Sequence, residues 1–363
     1  MTDIVAAVEQ RVKLIKRSDY YIGCCPLHPA KSPTLVVNPK DGTFVCLTCG
    51  ESGNAEYFMK KTGLIQQEPA ETEIPENAER IFDLNKRASD YFNYRLKQPK
   101  YGEKYLKYFT DRGTSIESIE LWKLGAAPEY GEYLLSNIRK WGYKDQEAEK
   151  AGLVYQKEGK YQDRFWDRVM FPLFDEKGNT VGFTGRAISG EAVKKMKYCN
   201  TPETELFQKR HLVYGLNFAK HSNRGFFILV EGNMDVITMH QYGFDNTVAS
   251  CGTALTGEQC RLLRKYKKRV MLMYDSDQAG IKSSIKAIKK LKDNGLEVVV
   301  APKLDPYKDP DEFLKKAGKE KMNEKIFDAM HATQFLVNNM EPAAAVRELL
   351  LNTDISRIQE FTN

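Results

Sequence analysis

From Gly225 onward the chain alternates short apolar runs with stretches whose apolar residues recur at helical spacing. The runs are Phe226–Val230, Thr247–Ala249, Val270–Tyr274 and Val298–Ala301, and helical patterns occupy 233–242, 256–268 and 280–293 between them. Strands alternating with helices predict βαβ units and a mostly parallel sheet. Upstream, Ile81, Leu84, Ala88 and Phe92 fall on one face of a helix, and a second helical stretch surrounds Lys104–Phe109. Val169–Phe174 reads as a strand, Glu176–Asn179 as a turn and Thr180–Thr184 as the returning strand of a hairpin. Residues 325–363 read as helical, and the chain carries no internal repeat.

The beginning differs from the rest. Residues 1–63 hold four of the seven cysteines, and residues 64–80 follow with five glutamates, two prolines and no apolar periodicity, the composition of a linker. The expected organisation is a small unit over 1–63, the linker 64–80, a mixed half over 81–224, an α/β half over 225–340 and a short helical tail over 341–363.

Composition narrows the class. A length of 363 residues fits two or three domains, each of roughly 100–200 residues. With 42% hydrophobic and 29% charged residues the chain has enough apolar matter for ordinary cores, which excludes wholesale disorder. No run approaches the roughly 18 apolar residues of a membrane helix. Met1–Val5 shows no basic segment leading into an apolar one, so no secretory leader is read, and the sparse, irregular cysteines do not form a disulfide scaffold. A reduced, cytoplasmic setting is expected. The net charge of +6 permits a polyanionic partner without demanding one. Placement says more: Arg264–Arg269 holds five basic residues in six, with further clusters at Lys194–Lys197 and Lys209–Arg210. Singly, each reads as a solvated face; together they form a footprint for nucleic acid.

Cys25-Pro-Leu-His28 and Cys46-Leu-Thr-Cys49 give C-x2-H, seventeen intervening residues and C-x2-C. Two such knuckles bring Cys25, His28, Cys46 and Cys49 into a tetrahedron suited to Zn²⁺. Thr34–Val37 and Thr43–Val45 alternate like strands around an Asn38–Gly42 turn, which makes the segment an antiparallel zinc ribbon. Four protein ligands leave no open position, so the site is structural. Cys24 adjoins Cys25 and offers an alternative ligand, whereas Cys199, Cys251 and Cys260 lack partner spacing.

Carboxylates gather at three strand ends. Glu231 follows Phe226–Val230 with Asp235 four residues on, Asp275 and Asp277 follow Val270–Tyr274, and Asp309 and Asp311 lie beyond Val298–Ala301. In a parallel sheet these positions share the ligand-binding edge. Any one of them also reads as a helix cap or a solvated loop, and for Asp309 or Asp311 taken alone that reading is favoured. As a set they repel one another, and Mg²⁺ or Mn²⁺ is the usual compensation, suited to phosphoryl transfer. The G-x-x-x-x-G-K-[ST] phosphate loop of an ATP-driven motor does not occur.

At this point the residues resemble the bacterial (DnaG-type) DNA primases. Gly23-Cys-Cys-Pro-Leu-His28, Cys46-Leu-Thr-Cys-Gly50 and Gly53-Asn-Ala55 look like their zinc-binding domain. Arg164-Phe-Trp-Asp-Arg168-Val-Met-Phe-Pro172, Gly182-Phe-Thr-Gly-Arg186 and Tyr198-Cys-Asn-Thr-Pro-Glu203 look like the basic half of the polymerase core. Val230-Glu-Gly-Asn-Met-Asp235, Ala249-Ser-Cys-Gly-Thr253, Tyr274-Asp-Ser-Asp277 and Asp309-Pro-Asp311 look like its Toprim half. The resemblance covers nearly the whole chain. It implies a multidomain α+β and α/β fold, a zinc ribbon followed by a primase core with a Toprim-like, mostly parallel sheet.

It also implies synthesis of short RNA primers on single-stranded DNA from ribonucleoside triphosphates, with an RNA–DNA hybrid as product. On matching positions Glu231, Asp235, Asp275, Asp277, Asp309 and Asp311 would hold Mg²⁺ or Mn²⁺, with Glu231, Asp275 and Asp277 central to catalysis. Arg112, Arg186, Lys197, Asn200 and Lys209 would face template, triphosphate or primer, with Arg164 and Arg168 as secondary positions. Lys31, Lys40 and Phe44 would meet DNA from the ribbon, although Phe44 also fits the ribbon core. Asp163 and Asp167 interrupt the otherwise basic patch. The chain stops soon after Met340, where cellular primases continue into a helicase-interaction domain. A compact, bacteriophage-type version is therefore expected, monomeric or transiently associated, with any recruitment to a replicative helicase through another surface. The rival readings are a Toprim-type nuclease or topoisomerase-like strand-cleaving enzyme, the latter needing a tyrosine nucleophile near the acids, and a non-catalytic zinc-ribbon DNA-binding protein.

Overall fold

Buried and exposed residues alternate along Leu35–Asn38 and Thr43–Cys46, and these two strands form the centre of the first sheet. In the computed structural model, which describes residues 3–30, 32–64, 78–129, 133–188, 190–252 and 254–341, Ile15–Arg17, Tyr20–Gly23 and Ser52–Asn54 complete a five-stranded antiparallel sheet. Helices Ile4–Glu9 and Ala55–Lys61 cover it, closing a core of Ile4, Val8, Leu35, Val37, Phe44 and Phe58. The chain divides into compact units at Met1–Glu73 and Ile74–Asn363.

The second unit begins with helix Ala78–Leu96, inside the stretch read as linker. It buries Ile81, Leu84, Ala88, Phe92 and Leu96 along one stripe. Helix Pro99–Asp111 follows. A four-stranded antiparallel sheet is then built from Gly125–Ala127, Arg168–Phe174, Thr180–Ala187 and Tyr198–Asn200. Its central hairpin is the one the sequence predicts. The flanking pair Val154–Lys157 and Lys160–Asp163 forms a separate small hairpin.

The other sheet has Thr247–Ala249, Phe226–Val230, Arg269–Leu272 and Glu297–Val300 in parallel, in that spatial order, with Met330–His331 added antiparallel at the edge. That last strand overturns the reading of 325–363 as continuously helical. Helix Pro310–Phe327 ends, the chain pairs with Val299 and Val300, and helix Ala332–Asn339 resumes. Residues 342–363 lie outside those described. Among the described residues no helix is long and apolar enough to cross a membrane.

The antiparallel and parallel sheets share one core. Val169, Phe171, Ile228, Val230, Met271 and Phe313 belong to the same buried cluster. Trp122 marks the joint, its ring stacked on Tyr214 at 5.2 Å and meeting His240 edge-on at 5.1 Å. The two halves of the second unit are thus rigidly registered, which fixes the groups lining their junction.

Candidate active site and zinc site

The ribbon brings its four ligands together. The donor atoms of Cys25, His28, Cys46 and Cys49 lie within 4.8 Å of one another, and this is the only such group of three or more among the described residues. Cys25, which is buried, joins the group, while Cys24 is exposed. His28 Nε2 stands 3.1 Å from Cys46 Sγ. Burial opposes ionisation of Cys46, but the amides of Cys49 and Thr48 and the His28 ring outweigh it and bring its thiol down to about 6. Burial pushes Cys25 up to about 12. A thiolate pocket so divided fits Zn²⁺, which ionises coordinating thiols outright. Phe44 packs edge-on against Phe58 at 5.2 Å and is core, not a DNA contact. Lys40 is exposed beside Asp19, and Lys31 lies outside the described residues.

The parallel sheet switches direction between Phe226–Val230 and Arg269–Leu272, because the intervening strand lies on the far side. Ligands bind at such switch points, and Glu231 and Asp275 flank this one. The Asp275 N–H donates to Glu231 Oε1 at 3.2 Å. Asp277 caps helix Gln278–Asp293, its Oδ1 accepting from Ala279 and Gly280 at 3.0 and 2.9 Å. Asp309 caps helix Pro310–Phe327 by accepting from Glu312 at 2.8 Å. Asp277 and Asp309 are thus helix caps, as each reads singly, and the cap leaves Asp277 Oδ2 to Lys308 Nζ, 3.7 Å away.

The six acids separate into groups. Asp235 is nearly buried and accepts from the Gly232 and Asp311 amides at 3.0 and 3.3 Å. Asp311 receives the Thr238 hydroxyl, the Lys315 ammonium and, at 3.4 Å, Arg112 Nη1. These two carboxylates are taken up internally. Glu231, Asp275 and Asp277 keep the outward position, with Lys308 Nζ 3.2 Å from Asp275 and 3.7 Å from Asp277. Burial raises the Glu231 carboxyl, with help from Asp275. Burial likewise raises Asp275 against the opposing pull of Lys308, and Asp235 rises well above its ordinary value through burial and then Asp309 and Asp311. The Gly280 amide holds Asp277 low. Carboxyls lifted by one another, with an ammonium drawn among them, form a donor set that fits a hard divalent cation.

The basic positions divide in the same way. Thr184 and Arg186 on one strand face Asn200 and Tyr198 on the next, with Thr184 Oγ1 donating to Asn200 at 2.9 Å. The Tyr108 ring lies between Arg186, at 5.3 Å, and Arg112, at 5.2 Å. A continuous contact path therefore runs from Arg186 through Tyr108 and Arg112 to Asp311 and Asp235. Lys197 is exposed and Lys209 half-buried, the latter donating its N–H to Glu203 at 3.1 Å. Arg168 departs from the expectation: it is buried and donates to the carbonyls of Met196 at 2.8 Å and Lys197 at 3.3 Å, so it braces the segment that carries Lys197 into strand Tyr198–Asn200. Arg164 lies over the Tyr155 ring at 5.7 Å.

Asp163, the buried last residue of the small hairpin, accepts from the Leu134 and Leu135 amides at 2.8 Å, and Asp167 pairs with Lys104 at 2.8 Å. The Arg264–Arg269 cluster is not a free footprint. It lies at the opposite sheet edge from the acids, with Lys267 donating to Ser222 O at 2.7 Å, Lys265 paired to Glu176 at 2.8 Å and Arg269 to Glu297 at 3.1 Å. Lys308, Tyr108, Thr238 and Lys315 are the site residues that sequence reasoning misses. Only Lys308 carries a signal, its place directly before Asp309-Pro-Asp311.

A switch point edged with carboxylates, an adjoining arginine-bearing sheet and a four-ligand ribbon on one chain define a zinc-finger protein of the Toprim class. Family profiles agree along the chain: the CHC2 zinc finger over residues 1–91, the DNA primase catalytic core N-terminal domain over 91–220 and a Toprim-like domain over 228–314. The chain belongs to the DnaG-type DNA primase family. A DNA primase of Clostridium acetobutylicum is 36% identical, the match covering 93% of this chain and 59% of the relative. One of Enterococcus faecalis is 34% identical over 88% and 55%. The chain thus spans little more than half the length of these relatives. The zinc-binding and RNA polymerase domains of Aquifex aeolicus primase superpose with a TM-score of 0.68 at 30% identity, covering 98% of this chain and 92% of that one. A DnaG primase catalytic domain bound to single-stranded DNA gives 0.65 at 30% identity, covering 73% and 83%.

Proposed function

We propose that the chain is a DNA-dependent RNA polymerase that lays short RNA primers on single-stranded DNA. The reaction joins a ribonucleotide 3′-hydroxyl to the α-phosphate of an incoming nucleoside triphosphate and releases pyrophosphate. The observation that carries the reading is the path from Arg186 and Tyr108 through Arg112 to the strand-end acids, which sets phosphate-binding cations beside a carboxylate crevice. Glu231, Asp275 and Asp277, joined by Asp309, would hold Mg²⁺ or Mn²⁺. Such ions offset charge on the transferring phosphoryl group. Asp235 and Asp311 position that set, from their buried amide and arginine contacts. Arg186, Lys197, Asn200 and Lys209 offer guanidinium, ammonium and amide donors to template and triphosphate. The ribbon, with its zinc, would select the start site on the template.

The topoisomerase-like alternative needs an activated tyrosine near the acids. Tyr274 adjoins Asp275, but burial and the neighbouring Glu231 push its phenol up, the opposite of activation. The test is incorporation of labelled ribonucleotides on unprimed single-stranded DNA templates with Mg²⁺ or Mn²⁺. Short RNA products that vanish with Asp275→Ala, while DNA binding persists, support the reading. Undiminished synthesis by Asp275→Ala removes the site assignment, and cut template in place of RNA favours the cleaving enzyme.

A further inference from the structure

Lys308 brings a positive charge to the outward acids of the crevice. Its ammonium lies 3.2 Å from Asp275 Oδ2 and 3.7 Å from Asp277 Oδ2. The oxygen it meets on Asp277 is the one left outside the helix cap, since Oδ1 is taken by the Ala279 and Gly280 amides. This contact is built into the backbone. The Ser276 N–H, from within the Asp275–Asp277 segment, donates to the Lys308 carbonyl at 2.9 Å, and the Lys308 N–H donates to Glu312 at 3.0 Å. The Ser276 hydroxyl in turn accepts from the Leu304 N–H at 2.9 Å. These bonds fix where the lysine stem starts relative to both aspartates. The side chain itself is 59% exposed and free to swing into solvent.

We propose that Lys308 is a built-in counter-ion, holding Asp275 and Asp277 together until a divalent cation arrives and then exchanging places with it. The inference rests on the reading of the strand-end acids as a cation site. An ammonium and a divalent cation cannot share the same two oxygens, because like charges at that separation repel strongly. Exchange moves the ammonium, with its proton, out to water, and no bond is made or broken. While the cation is absent, the ammonium offsets the mutual repulsion of the two carboxylates, and an arriving cation has to displace it, so the lysine competes with the cation for the same oxygens.

Two measurements on the zinc-loaded chain test this, neither of them an activity. In the first, Mn²⁺ is titrated and the free ion followed by electron paramagnetic resonance. Lys308→Met is expected to bind Mn²⁺ about 2- to 5-fold more tightly than the wild type, the scale of an exposed ion pair, with Lys308→Arg close to wild type. In the second, wild-type lysines are labelled with an amine-reactive reagent and read by peptide mass spectrometry. Labelling of Lys308 should rise on adding Mg²⁺ while that of Lys282, exposed on the neighbouring helix, stays constant. If the wild type binds Mn²⁺ and Lys308→Met binds it equally or more weakly, or if Lys308 labelling does not respond to Mg²⁺, the exchange is overturned and the cation site stands. If the wild type binds no Mn²⁺ at these acids, the cation site falls and the exchange falls with it.

Discussion

Gly280 lies in the first turn of the helix behind Asp275 and Asp277, at a point where no side chain fits. A Cβ there would stand 2.0 Å from the Asp275 carbonyl oxygen, which is backbone and has no rotamer to retreat to. Gly280→Ala therefore has to push Asp275 or the first helical turn aside. The expected cost is about 1–3 kcal/mol of stability and, because Asp275 moves, a loss of roughly 100-fold in primer synthesis. Gly225, where an added Cβ meets nothing within 4 Å, is the matched control. Thermal melts and ribonucleotide incorporation on the two alanine variants decide it: if Gly280→Ala behaves like Gly225→Ala, the close packing of helix on strand end does not constrain the site. Arg168 teaches the converse at this scale. Its sequence context reads as a ligand contact, yet its guanidinium is spent on carbonyls, so Arg168→Lys should act through the position of Lys197.

The ribbon is the element whose stability depends most directly on its ligands. Cys25 and Cys46 belong to its buried cluster together with Leu35, Val37 and Phe44, so metal site and core are the same object. Removing zinc leaves Cys25, whose thiol burial pushes up to about 12, beside Cys46, whose thiol sits near 6. Without the ion, that thiolate is held by the Cys49 and Thr48 amides and the His28 ring. Cys46→Ser, or chelation, is expected to melt residues 1–63 while the second unit, with its own core, keeps its unfolding transition. Calorimetry showing one transition shift and the other hold would bear this out, and the loss of both would join the two units energetically. Element by element, the sequence was most legible where a period repeats. The ribbon hairpin, the helix carrying Ile81 to Phe92 and the parallel strands all announce their spacing. Gly125–Ala127 and Met330–His331 do not, because three small residues or two residues of any kind have no period. They are strands only because Val169 and Met170, or Val299 and Val300, present unpaired backbone to them. The site was legible to the same extent. Acids at strand ends follow from the βαβ pattern, whereas the Arg112–Asp311 contact joins residues far apart in sequence and needs the shared core to exist.

At the scale of the whole molecule, the acidic crevice sets how stability depends on pH. Burial and mutual repulsion raise Glu231, Asp275 and Asp235 above their ordinary values of 4.5, 3.8 and 3.8. For these groups the folded chain binds more protons than the unfolded one between the ordinary value and the raised one. Their contribution therefore favours folding at acid pH and is lost as pH rises through the raised values. Other carboxyls act in the opposite sense: Asp83, held low chiefly by the Tyr143 hydroxyl, and Glu147, held low chiefly by Arg80, favour folding above their ordinary values. A bare pH profile mixes the two sets, so the informative quantity is the effect of a cation. Mg²⁺ held as proposed would compete with protons for the crevice carboxylates, and binding only the folded chain would add about 2.7 kcal/mol at a hundredfold excess over Kd. The rise in melting temperature with Mg²⁺ should thus be large near pH 8 and fade toward pH 5. In Asp275→Asn, which removes one charge from the crevice, it should be small at both. A Mg²⁺ effect that ignores pH, or that survives unchanged in Asp275→Asn, would place the cation elsewhere on the molecule. The same comparison separates two views of the raised carboxyls. If they are a cost that the folded chain bears only without its cation, the variant is more stable than the wild type in the absence of Mg²⁺ and less stable in its presence. A crossing of the two stabilities with Mg²⁺ concentration is the outcome that ties the strain of the crevice to cation binding.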